Sequence, residues 1–356
     1  MSVRPLPLPL PRRALLLAAL PLPVRAAATE LRFPADFGAH PRQAIEWWYL
    51  TGLLSDLDGG PPRFGYQLTF FRIPGPAADD HPSGLAARQL LLGHVALSDL
   101  GARRQRHAQR LMRGLPGAVY TTVGDCRVKL RDWLLQRRGT SYRAAFTGPG
   151  FSLDLEVLTP LPPLLQGEAG LSRKGPQPEQ FSFYYSRPQL TGAATLEVDG
   201  RKLALGAKGW LDHEWSDNVL GDAVGWDWLG VNLDDGRALT LFQLRHADGR
   251  RSFAGGSLRT PGQPDRSFAP QEVQMTPLRH WTSPATGARW PVEWRLQSPA
   301  GEMRLAAFFD EQEIDARRSS GLVYWEGAAR LFDTSNRPLG AGYLELTGYV
   351  GKLPLP

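Results

Sequence analysis

Residues 206–245 read GAKGWLDHEWSDNVLGDAVGWDWLGVNLDDGRALTLFQLR, and the fold turns on how they are read. Successive side chains of a strand point to opposite faces, so an extended 210–215 sets Asp212 and Glu214 on one face and His213 with Trp215 on the other. A second strand, rich in aromatic and β-branched residues, covers 225–233. It stops at Asp235-Gly236, a pair suited to the positive φ of a hairpin turn, and 238–245 is the returning strand. Tryptophans two apart, here Trp226 and Trp228, line a core as readily as a site. Charged residues are seldom buried unless paired or used, so Asp212, His213 and Glu214 together point to shifted pKa values and proton transfer.

Working outward, the chain from residue 31 is short segments of period-two character broken by Pro, Gly and Asp-Gly, which is the pattern of an all-β protein. The segments 45–54 (IEWWYLTGLL) and 64–72 (FGYQLTFFR) form a hairpin around Asp58-Gly59-Gly60. The central hairpin repeats it. Trp47 aligns with Trp226, Tyr49 with Trp228 and Arg72 with Arg245, about 175 residues apart, a spacing that suits two consecutive antiparallel β-barrel domains at 29–200 and 201–356. Each arginine closing its strand is expected to pair with a carboxylate such as Glu46 or Asp227.

Between the copies, 89–98 (QLLLGHVALS) is an apolar strand carrying His94, where charging an imidazole is costly; a neutral core histidine and a site residue are both consistent with it. Residues 101–116 (GARRQRHAQRLMRGLP) read as the one helix, with a wet basic stretch. The breaker-dense 159–178 reads as a connecting loop or a lid. After the central hairpin, 322–327 (LVYWEG) and 342–349 (GYLELTGY) are dense strands. In the latter Tyr343, Glu345 and Thr347 share a face opposite Leu344 and Leu346, as in a barrel wall with a ligand-facing interior. The candidate acid–base residues are therefore Asp212, His213 and Asp227. The candidate ligand-binding set is Glu46, Trp48, Tyr49, His94 and Trp215 with Trp226, Trp228, Tyr324, Glu326, Tyr343 and Glu345.

The first 28 residues carry Arg4, Arg12 and Arg13 before an apolar run and end in Ala26-Ala27-Ala28, the pattern of a cleaved signal peptide and hence of a periplasmic or secreted protein; Arg12-Arg13 leaves a twin-arginine route open beside ordinary secretion. The whole chain is +6, and the four arginines of that leader leave about +2, too little to recommend a nucleic-acid partner. Cys126 is the single cysteine, which excludes an intrachain disulfide and a zinc–thiolate site. Serine-elbow, zinc-peptidase, phosphate-loop and dinucleotide motifs are absent, and no metal or organic cofactor is expected.

At EWWYLTGLL, GWLDHEWS, GWDWLGVNL, YWEG and GYLELTGY the sequence resembles the AttH-like proteins, a group related to bacterial carotenoid 1,2-hydratases. The resemblance implies two lipocalin-like barrels, an exported protein often described as a secreted hydrolase, and association with an ABC permease. His213 and Trp215 match a His-x-Trp motif important in the hydratase branch. That branch also uses a tyrosine and an aspartate on the following strand, and here that strand, ALTLFQLR, has neither; Asp227, on the strand between, is the nearby acid. The reading is a protein that holds a hydrophobic or amphiphilic small molecule at the barrel junction. The enzyme alternative is a cofactor-free hydratase or hydrolase using His213 with Asp227 or Asp212.

Overall fold

The structure, a computed structural model, describes residues 30–77, 81–83, 86–218, 220 and 223–353. The leader expected at 1–28 lies outside them. The described chain is all-β, with antiparallel strands in two sheets and two single-turn 3-10 helices, Ala35–Phe37 and Pro270–Glu272.

In spatial order the first sheet runs Arg104–Arg113, Gln89–Asp99, Gly59–Pro74, Ile45–Asp56, Arg201–Ser216, Phe181–Val198, Phe151–Leu158, Ser141–Gly148, Trp133–Arg138, Arg127–Leu130 and Val119–Thr121, curled into a nearly closed barrel. The second is a half-barrel, Arg266–Phe268, Arg251–Arg259, Ala238–Arg245, Gly225–Leu233, Pro338–Leu346, Leu322–Asp333, Gly301–Ala307, Arg289–Ser298 and Gln274–Thr282.

Three sequence expectations are corrected here. Asp199-Gly200 is a hairpin turn inside the first sheet, with Val198 facing Arg201, so the first barrel continues to Ser216 and does not end at residue 200. The expected helix at 101–116 is the edge strand Arg104–Arg113, paired from Leu90↔Arg113 to Asp99↔Arg104; the ladder satisfies its backbone groups and overrides a local helical propensity worth only tenths of a kcal/mol per residue. In 159–178 the short strands Leu164–Leu165 and Leu171–Arg173 pair with Phe181–Val198, and Gln166 between them bonds Ser186 and Ser257, tying one sheet to the other.

Both barrel interiors are packed with side chains. Trp48, Phe70, Trp133 and Trp215 fill the first, and Trp290, Trp294 and Trp325 the second. A third cluster, including Tyr49, Trp210, Trp228 and Tyr343, lies between the sheets. It explains why residues 210–216 are buried on both faces: one face looks into a barrel and the other into the junction. The alternation of GYLELTGY is real but its sense is reversed. Leu344 and Leu346 fill the half-barrel, while Tyr343 packs into the junction.

The duplicated hairpins occupy equivalent places, and their matching residues meet. Trp47 stacks on Trp226 and Tyr49 meets Trp228 edge-on at 5.3 Å. At the barrel side of each hairpin Arg72 Nε donates to Glu46 at 2.8 Å and Arg245 Nε to Asp227 at 2.9 Å, the two ion pairs expected from sequence. The equivalence extends through the neighbouring strands. Tyr49 faces Asp212, which faces Ser186; Trp228 faces Glu345, which faces Glu326. Asp212 therefore corresponds to Glu345, Ser186 to Glu326 and, two residues earlier, Tyr184 to Tyr324.

Candidate functional site at the barrel junction

The central strand divides the candidate residues between two places. On the face turned into the first barrel, His213 stacks on Trp48 at 4.6 Å and its Nε2 lies 2.8 Å from Glu46 Oε1. Burial opposes the charge on Glu46, yet hydrogen bonds from His213 and His40 outweigh it and hold the carboxyl at about 2. Burial keeps His213 below its ordinary value, hence neutral, although Glu46 pulls the other way. The tautomer follows: Nε2–H donates to Glu46, and Nδ1, 3.0 Å away, accepts from the Tyr185 hydroxyl. His40 stacks on Trp215 and places Nδ1 2.8 Å from the same Glu46 oxygen. His40, Glu46 and His213 bring three donor atoms within 4.8 Å of one another. The Arg72 guanidinium already sits on that carboxylate, so the group is a closed hydrogen-bond network rather than an inviting cation site.

Asp227 lies in the second barrel, bonded by Gln243, Arg245 and Tyr349. Burial raises its pKa against the pull of Arg245. Glu46, Trp48, His213, Trp215 and Asp227 thus face the barrel interiors, away from the junction. Tyr49, His94, Asp212, Trp226, Trp228, Tyr324, Glu326 and Glu345 are brought together there.

Two pockets open at the junction, back to back across Thr69, Phe71, Trp226 and Glu345. The smaller, about 50 Å³, is bounded by Tyr184, Asp212 and Glu214 and contains a lysine. Lys174 Nζ is 2.9 Å from Glu214 and lies over the rings of Tyr184 and Phe242, 5.0 and 4.4 Å from their centroids. Asp212 accepts from Ser186 at 2.5 Å and from the Trp210 indole at 2.8 Å; burial outweighs these bonds and lifts its pKa to about 7. The Trp228 indole donates to the Tyr184 hydroxyl at 3.1 Å.

The larger cavity, about 580 Å³, is walled by apolar side chains such as Phe71, Leu92 and Leu322 and reaches the surface at half-exposed Leu111. Its polar end is Glu326, Glu345, Tyr324 and His94. Residues directly opposite in an antiparallel pair hold their Cβ atoms about 5 Å apart, so Glu326 and Glu345 are close neighbours. Burial lifts Glu345 to about 7 despite the Trp226 indole, and burial with the Glu345 charge drives Glu326 well above the ordinary carboxylate range. Glu326 Oε1 is buried and makes no short hydrogen bond, and the Tyr49 hydroxyl is the group that steadies this carboxylate. Burial holds His94 neutral, near 3; its ring nitrogens meet Tyr324 Oη at 2.7 Å and Ser319 Oγ at 3.2 Å. Such a site can exchange protons near neutral pH and can take an apolar body with one polar end.

Lys174 escaped the sequence reading because its segment has no periodicity, and Ser186 because a serine in a strand carries no signal of its own. The acids did carry one. Buried carboxylates need a reason, and alternation had already placed Asp212 and Glu214 on a common face.

The AttH-like family model matches residues 24–349. A solved protein of the AttH type from Nitrosomonas europaea is 40% identical over 91% of this chain and 98% of its own, with a TM-score of 0.82. Kievitone hydratase from Nectria haematococca shares the fold at 14% identity, covering 91% of this chain and 94% of its own with a TM-score of 0.68. Among functionally curated proteins none matches the sequence. With five motifs in order, the family model over nearly the whole chain and a close solved relative, the chain belongs to the AttH-like family.

Proposed function

We propose that this protein holds a hydrophobic or amphiphilic small molecule in the 580 Å³ cavity at the junction of its two barrels. The observation that carries the reading is a cavity walled by apolar side chains whose polar end holds two facing carboxyls, Glu326 and Glu345. A concave apolar pocket with a few convergent polar groups is the usual form of a small-molecule site. Organic extraction of protein purified from its native host, followed by mass spectrometry, tests this. Recovery of one compound class, displaced by Leu92→Trp, supports it, and repeated recovery of empty protein counts against it. Export, and docking on an ABC permease, belong to the same proposal; co-purification with a neighbouring permease tests the second.

A specific observation favours a catalytic reading beside it. Asp212 and Glu345 occupy equivalent positions and both sit at about 7, where a carboxyl both gives and takes a proton. With the fold shared with a named hydratase, this supports cofactor-free hydration or hydrolysis with these two acids as the proton carriers, not His213 or Asp227. Turnover of alkene-bearing amphiphiles, abolished by Asp212→Asn and Glu345→Gln but not by His213→Gln, is the expected pattern.

A further inference from the structure

The two pockets are related by the same correspondence that relates the hairpins, and they differ in size, in one acid and in positive charge. In the smaller pocket Tyr184, Asp212 and Glu214 surround the ammonium group of Lys174, which pairs with Glu214 and rests on the faces of Tyr184 and Phe242. In the larger pocket Tyr324 and Glu345 repeat Tyr184 and Asp212, and Glu326 replaces Ser186, so that its second acid sits where the other pocket has a serine. Among its described lining residues there is no lysine or arginine, and His94 is engaged by Tyr324 and Ser319.

Two adjacent buried carboxyls without a cation cannot both ionise, so at least one of them, Glu326, is held as the acid. A cation entering beside them gains charge–charge attraction at low dielectric, next to the Trp226 and Tyr324 rings that line the pocket, as Lys174 does between Glu214 and two rings across the junction. A neutral or anionic head finds neither.

Resting on the binding function above, we propose that the ligand of the larger cavity is a cationic amphiphile, an alkyl ammonium head between Glu326 and Glu345 with its hydrocarbon tail along Phe71, Leu92 and Leu322. The ligand's ammonium group occupies, in this pocket, the place that Lys174 takes in the other.

Titration calorimetry of the mature chain with dodecylamine, dodecanol and dodecanoate below their micelle concentrations tests the proposal. Dodecylamine is expected to bind at least tenfold more tightly than the other two. In a Glu326→Gln, Glu345→Gln double variant the amine loses its advantage over dodecanol, and a near-ultraviolet circular dichroism spectrum and melting curve matching the parent's show that the variant has kept its fold. Equal or tighter binding of dodecanol or dodecanoate by the unaltered protein overturns the cationic head and leaves the cavity reading standing. An amine preference that survives the double variant places the cation elsewhere and also overturns the proposal. Failure of all three probes to bind removes the cavity reading and this inference together.

Discussion

Trp47 and Trp226, the same position in two copies of one hairpin, lie parallel across the junction with ring planes 7° apart and centroids 6.5 Å apart. Their contact joins the two sheets, so it reports on the junction directly. Aromatic pairs contribute about 0.5–1.5 kcal/mol beyond their buried area. A double-mutant cycle with Trp47→Leu and Trp226→Leu, read by urea unfolding, should show coupling of about 1 kcal/mol; coupling indistinguishable from zero would mean that the sheets are held by other contacts.

Glu46 is the anchor of the first barrel's polar network. Removing its charge strands the fully buried Arg72, and breaking a buried pair in this way costs about 3–5 kcal/mol. Glu46→Gln should lower the melting temperature steeply. Because the folded pKa, about 2, lies below the ordinary 4.5, the stabilisation is fully present above pH 4.5 and is lost as pH falls toward 2. Acid titration of the urea midpoint should show that loss in the parent protein and much less of it in the variant.

Asp212 and Glu345 work in the opposite direction. Their folded values, about 7, lie above the ordinary 3.8 and 4.5, so between about pH 4 and 7 the folded protein holds protons that the unfolded chain has released. Stability should fall as pH rises through that window and level off above it. Asp212→Asn, which still accepts from Ser186 and Trp210, should flatten part of the slope; a slope identical to that of the parent would show that the carboxyl is ionised throughout.

Lys174 sits in the junction as a buried cation with one acidic partner. Lys174→Met keeps the length of the stem and leaves Glu214 unpaired, so the variant should lose about 3 kcal/mol, and pairing it with Glu214→Gln should restore most of it. Chemical denaturation of the two variants checks this.

His213→Ala should behave as a packing change. The side chain is fully buried, stacked on Trp48 and bonded to Glu46, and its removal should cost about 3 kcal/mol while leaving ligand affinity in the junction cavity within twofold. A stable variant that has lost ligand would return His213 to the site.

How much of this was legible in the chain differs from residue to residue. Alternation assigned Asp212 and Glu214 to one face and His213 and Trp215 to the other, and that division stands. Which face looks into a barrel was not readable, because the second sheet buries the outer face and both faces then carry large, mixed side chains. For the same reason Tyr343 and Glu345 read as an inward polar wall when they look outward to the junction. The repeat of hairpins gave away both arginine–carboxylate pairs, since its matching ends are local in sequence. The Arg104–Arg113 strand was hidden by its weak apolar signal at a sheet edge, and Lys174 by a loop whose meaning lies wholly in tertiary contacts. Burial also drives up the Cys126 thiol, consistent with an inert core side chain.

Equivalent residues meet at the junction as they would on the axis of a two-fold homodimer, but here both belong to one chain. In a homodimer every substitution on the axis arrives twice, and a cavity there must carry identical groups on both sides. A single chain is free of that constraint. One half carries a lysine and a serine where the other carries a glutamate, so a single chain presents two matching pockets that are distinct in charge.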